Sequence, residues 1–141
     1  MGRLDVQFLD EGLHRVLFDA MPLPVFVVDS DVNILEYNAA GARLLVEGWQ
    51  TRKQRRGGDV LECLHATESP EGCGGSPACS HCGLREAVNA AFRGQPVTRQ
   101  WAAMELNQRG KPTKVNLRVS CQPFSYGKNS FVLLVLEGLN N

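Results

Sequence analysis

Five cysteines stand in this chain of 141 residues, and four of them, Cys63, Cys73, Cys79 and Cys82, are separated by only nine, five and two residues. The densest part reads "CGGSPACSHCG", from Cys73 to Gly83. Thiolate ligands of a tetrahedral ion must converge on one point, and a CxxC pair brings two sulfurs to the same metal. Gly72, Gly74, Gly75, Pro77 and Gly83 supply the tight backbone wrapping that convergence needs. Cys82 also precedes a helical pattern, where free amides and the helix dipole favour a thiolate. The expected chemistry is a metal centre held by Cys63, Cys73, Cys79 and Cys82, and zinc and an iron-sulfur cluster fit the spacing about equally well. His65 and His81 are substitute ligands, although a histidine inside CxxC usually points away from the ion and a surface histidine is the plainer reading of both. Redox-switchable disulfides and thiols with no shared role are the alternatives left open.

Several elements must place that loop. Leu9, Leu13, Val16, Leu17 and Ala20 recur at intervals of three and four, so Phe8 to Ala20 reads as an amphipathic lead helix that ends at "MPLP". In "VFVVDSDVNILEYN" two short apolar runs flank the turn formers Asp29, Ser30, Asp31 and Asn33, a hairpin signal. Asn38 is placed to cap a helix over "AAGARLLVE", with Ala40, Leu44 and Leu45 toward a core. "DVLECLH" reads as a short helix from Asp59. After the cysteine loop, Leu84, Ala87, Val88, Ala91 and Phe92 mark a longer helix stopped at Gly94. "TKVNLRVSCQ" then alternates, with Val115, Leu117, Val119 and Cys121 on one side, and "VTRQWAAMEL" and "SFVLLVLEG" read as its neighbouring strands, joined through "NQRGKP" and "FSYGKN". The fold class is therefore α+β: a five-stranded antiparallel sheet covered on one face by helices, as a strand pair, then helices, then a three-strand meander.

Composition narrows the function. Fifteen basic residues balance fifteen acidic ones, so no net field draws the chain to nucleic acid or an anionic membrane. The basic cluster Arg52, Lys53, Arg55 and Arg56 lacks interleaved aromatics and reads as a solvated loop. No apolar run approaches the roughly 20 residues that span a bilayer, and the first residues lack a secretion signal. A cytoplasmic location is expected, and clustered thiols in a reducing compartment suit a metal or redox site. No phosphate-binding glycine loop or nucleophile elbow is present, so no enzymatic activity is expected.

The stretch "LFDAMPLPVFVVDSDVNILEYNAAGARLL" resembles the opening of a PAS sensory domain, and "AFRGQPVTRQ" looks like the junction where the family's long helix ends at a glycine and its third strand begins. The resemblance runs from about Leu13 to Glu137. It divides the chain into a lead helix over residues 1–22 and a PAS-like domain over residues 23–138, with the cysteines of residues 63–83 as an insertion foreign to the family pattern. It implies a sensory module of a bacterial signalling protein, commonly a homodimer, passing its signal to an attached output domain or to a partner such as a histidine kinase or transcription regulator. It also implies that a small-molecule ligand can lie between sheet and long helix. The flavin-type Asn-Cys-Arg context, an axial histidine on the long helix and a CxxCH haem motif are all missing. "VLLVLEGLNN" stops where many PAS domains continue into an output helix, so an excised piece and a free-standing module both stay open.

A second, local resemblance competes for the cysteines. "CGGSPACSHC" is similar to the cluster loop of vertebrate-type two-iron ferredoxins, which implies an electron carrier with Cys73, Cys79, Cys82 and Cys121 as ligands. The alternation places Cys121 on the apolar face instead, as a small buried thiol.

Overall fold

A computed structural model describes residues 11–45, 56, 63, 72–75, 82–108 and 111–138. In chain order the elements are α1 (Glu11–Ala20), β1 (Val25–Val28), β2 (Ile34–Tyr37), α2 (Ala39–Ala42), α3 (Gly83–Phe92), β3 (Val97–Gln108), β4 (Lys111–Tyr126) and β5 (Asn129–Glu137). The strands form one antiparallel sheet in the order β2-β1-β5-β4-β3. The first and last strands thus meet at the centre, where β1 pairs with β5, and the connection from β2 to β3 crosses from one edge to the other.

One face of the sheet carries the core. Val28 of β1, Ala102, Met104 and Leu106 of β3, Leu117, Val119 and Cys121 of β4, and Val132, Leu134 and Leu136 of β5 are buried there. This is the period-two pattern of strands with one dry face. Helix α3 closes that face with Leu84, Ala87, Val88 and Ala91, all buried, at the three-and-four spacing read from sequence. It stops where expected, with Gly94 at φ 89° and its amide donating to the Ala91 carbonyl.

The strands of the meander run further than the sequence reading placed them, and two prolines show how. Pro112 faces only β3, because β5 does not reach past Arg118; Pro123 faces only β5, because β3 reaches no further than Cys121. A proline has no amide to donate, so each sits where β4 is locally an edge strand. The turns accordingly shrink, with β4 ending at Tyr126 and β5 starting at Asn129.

Two side-chain hydrogen-bonding devices fix the first half. Asn38 is fully buried; its Oδ1 accepts from the amides of Val25 at 3.0 Å and Gly41 at 2.8 Å, and its Nδ2 donates to the Leu23 carbonyl at 2.9 Å. The side chain caps α2, as the sequence predicts, and also ties α2 to the entry of β1. Asp29 organises the hairpin turn, since Oδ1 accepts from the amides of Asp31 and Asn33, each at 2.9 Å, and Oδ2 accepts from Asn33 Nδ2 at 3.0 Å. Within this turn Val32 is buried at φ 62°, a left-handed conformation that is an outlier for a β-branched residue.

Candidate functional site

The first turn of α3 is the centre of the site. Cys82 is the residue before the helix, with extended backbone, and its carbonyl accepts from the Glu86 amide at 2.9 Å. Gly83 then lets the helix descend onto β3, where a Cβ at that position would lie 2.8 Å from Cβ of Ala102. That close approach sets the first turn, including Arg85, beside the hairpin between β1 and β2.

Arg85 joins three parts of the chain. Its Nη1 donates to Oδ1 of Asp31 at 3.0 Å, and its Nη2 donates to Sγ of Cys73 at 3.3 Å. Arg56 repeats the bridge alongside, with Nε donating to Asp31 Oδ2 at 2.8 Å and Nη1 to the Cys73 carbonyl at 3.2 Å. Cys73 itself lies in a tight turn, closed by the Gly75 amide donating to the Gly72 carbonyl, and Gly74 packs against the Arg85 guanidinium with φ 93°. A side chain at Gly74 would meet Arg85 Nη2 at 2.8 Å, so the turn is moulded round the cation.

The electrostatics follow from this geometry. Burial works to raise the Asp31 carboxyl, but the hydrogen bonds and charges of Arg85 and Arg56 outweigh it and hold the group below its ordinary value. Burial likewise opposes the charge on Arg85, yet Cys73 and Asp31 together push it above the usual guanidinium range. Arg56, read from sequence as part of a solvated loop, is instead turned inward onto Asp31, its side chain 27% exposed, because the carboxylate offers it charge-assisted hydrogen bonds. Arg52, Lys53 and Arg55 lie outside the described residues.

The expected ligands separate as follows. Cys73 and Cys82 both flank the start of α3. Cys63 is not helical: it forms an isolated antiparallel bridge with Leu106, so the expected short helix from Asp59 does not hold at this residue. The exposed backbone edge of β3 supplies pairing partners that a helical Cys63 could not use. Cys79, His65 and His81 lie outside the described residues. Among the described residues, no three His, Cys, Asp or Glu side chains gather into a metal-ligating group. Cys121 lies in the core, 2% exposed, and burial pushes its thiol up to about 12. It sits between Val97 and Leu134 in the sheet register, as the alternation argument has it. No local pattern joins Arg85 to Asp31, since they are 54 residues apart and each has an ordinary local role.

A second surface lies on the other side of the sheet. Arg15 of α1 donates to Glu36 Oε1 at 3.1 Å and to the Tyr37 carbonyl at 3.3 Å, which fastens the lead helix to β2. Leu17, Phe18 and Met21 then border an open apolar groove floored by Val27 and Leu133. These strand residues alternate with the core-facing ones, so the groove is on the face opposite α3. Val16 is 63% exposed and Leu17 52%, so part of the apolar stripe of α1 faces outward. No described helix is long and apolar enough to cross a membrane.

Comparison with known proteins is consistent with this architecture. The family model described as PAS domain matches residues 12–74. The PAS domain of nitrogen regulation protein NR(II) from Vibrio parahaemolyticus is similar in fold, with 14% identity, a TM-score of 0.56, and 90% of this chain and 98% of that one covered. A chain of the E. coli DhaR(N)-DhaL complex is also similar, with 15% identity and a TM-score of 0.52. There 94% of this chain is covered, but it spans only 37% of the other chain's length. No curated protein matches the sequence.

Proposed function

We propose that the chain is a PAS-type, non-catalytic sensory module of a cytoplasmic bacterial signalling protein, with residues 1–22 as lead segment and residues 23–138 as sensing domain; the PAS-domain match over residues 12–74 and the like fold of a solved PAS domain support this reading. Its output is an attached domain or a protein partner such as a histidine kinase or transcription regulator. The DhaR(N)-DhaL assembly is an instance of a chain of like fold in a protein complex. The observation that carries this reading is the outward apolar face of α1, where Val16 and Leu17 are exposed on a helix already fastened to the sheet through Arg15, with Met21 exposed just past its end. A second copy of the chain covers that face in a homodimer, and a signal reaching the sheet changes how the two lead helices pack. Light scattering tests this. The wild-type chain runs as a dimer and Leu17→Glu as a monomer with an unchanged circular dichroism spectrum; a wild-type monomer at tens of micromolar overturns it.

The loop is the sensing element in this reading, holding zinc or an iron-sulfur cluster through Cys63, Cys73, Cys79 and Cys82. Two features support it: the guanidinium beside the Cys73 sulfur and the position of Cys82 before the free amides of α3. Anaerobic purification, a visible spectrum and metal analysis test it. Absorption that bleaches on reduction marks a cluster, about one zinc in a colourless protein marks a structural site, and a metal-free protein removes the centre. The electron-carrier alternative needs Cys121 as fourth ligand, and its burial in the core opposes that role. A small-molecule ligand between α3 and the sheet competes for space with Leu84, Val88, Leu117 and Leu134, which are packed together there.

A further inference from the structure

We propose that Arg85 is a relay coupling the chemical state of Cys73 to the turn between β1 and β2. The idea rests on the loop as sensing element for its purpose and adds the route by which the loop is read. A single guanidinium, on a side chain only 16% exposed, spans Cys73 Sγ at 3.3 Å and Asp31 Oδ1 at 3.0 Å. Its two acceptors sit on different nitrogens of that one guanidinium, and Nη2 also reaches the Asp31 carbonyl at 3.5 Å, so a change at either acceptor is felt by the other through the shared cation. The turn it reaches is poised to respond. Val32, the residue after Asp31, holds a left-handed backbone that suits glycine better, and the surrounding hydrogen bonds to Asp29 and Asp31 keep it there.

The coupling has a definite direction. When the Cys73 thiolate attacks glutathione disulfide, a sulfur-sulfur bond forms to Cys73, the bond within glutathione disulfide breaks, and glutathione thiolate leaves. The neutral sulfur that results is a poorer acceptor than the thiolate, so Arg85 turns more fully to Asp31. Coupling between two sites is reciprocal in binding free energy, so a change at Asp31 alters the Cys73 equilibrium in turn. Asp31→Asn removes the rival anion and leaves Arg85 to the thiolate, which disfavours the mixed disulfide. Arg85→Gln removes the donor from the thiolate, which favours it. Asp31 is a positioning residue in this scheme, acting through Arg85, and Arg85 touches the reacting Cys73 sulfur but no atom of glutathione.

The test is the equilibrium occupancy of Cys73 by glutathione, read by peptide-resolved mass spectrometry on the full chain in glutathione redox buffers after treatment with a chelator. The expected result is a shift of about two- to fivefold, the range for partly exposed ion pairs, downward for Asp31→Asn and upward for Arg85→Gln. A second readout is amide exchange at Asp31 and Asn33, which changes on glutathionylation of the wild type and stays constant in Arg85→Gln. Should Arg85→Gln fail to fold, Arg85→Met, which keeps an unbranched side chain without the charge, takes its place with the same upward direction. Shifts of one sign in both variants, or none in either, in chains with wild-type circular dichroism, overturn the relay. Metal content measured before chelation keeps the two ideas apart, because a metal-free loop removes the metal centre and leaves the relay to be judged on its own data.

Discussion

Gly83 and Ala102 meet so closely that the Cβ which Gly83 lacks would lie 2.8 Å from Cβ of Ala102. The contact sets the depth at which α3 rests on β3, and through it the reach of Arg85 toward the hairpin. Gly83→Ala therefore lifts the first helical turn. The expected cost is about 1–3 kcal/mol, the range for overpacking a close contact, measured as a lower urea midpoint. An unchanged midpoint would show that β3 yields freely at Ala102.

Asn38 offers a sharper stability test. Replacing it with Ala strands the buried amides of Val25 and Gly41 and takes the partner from the carbonyl of Leu23. The loss of a helix cap and of buried hydrogen bonds is expected to cost about 2–4 kcal/mol. Chemical denaturation measures it, and a cost below about 1 kcal/mol, the value for an ordinary cap alone, would mean the tie to β1 contributes nothing.

Acid should weaken the fold through Asp31. Its carboxyl is held below the ordinary value in the folded chain, so the unfolded state takes up the proton first as pH falls. The contribution is present in full above the unfolded carboxylate value near 4 and is lost as pH drops from there through the lower folded value. Solvent exposure of the side chain keeps the effect small. Thermal melts of wild type and Asp31→Asn between neutral pH and pH 3 should converge at the acid end; parallel curves would assign the acid loss elsewhere.

Cys121 separates the ligand sets. With a thiol pushed up to about 12 and 2% exposure, it should resist alkylation at pH 8 until the chain unfolds. Cys121→Ser places a hydroxyl among apolar side chains and is expected to cost about 1–3 kcal/mol. Metal per folded chain should not change. Loss of metal in folded Cys121→Ser protein would favour the ferredoxin-like set.

Much of the scaffold was legible in the residues because burial repeats with a fixed period. Leu117, Val119 and Cys121 declare a one-sided strand, and Leu84, Ala87, Val88 and Ala91 declare a covering helix, without knowledge of what they touch. Asn38 was legible because a cap is a local device. The relation between Arg85, Asp31 and Cys73 was not, because it joins segments far apart in sequence and each residue also satisfies a commonplace local reading. Val32 gave no warning either, since a β-branched residue is the last type expected to adopt φ 62°. Cys63 misled for a related reason: "DVLECLH" has helical composition, and only the edge of β3 shows why this residue pairs as extended chain.

The staggered prolines bear on how the whole sheet can move. β3 and β5 flank β4 together only from Arg118 to Cys121, and within that span β3 bulges at Arg99, whose amide and carbonyl are stitched to Ser120 Oγ and the Arg118 guanidinium. The meander is thus two ribbons welded along a narrow waist. A torque applied to either ribbon must pass through those few residues before it reaches the other.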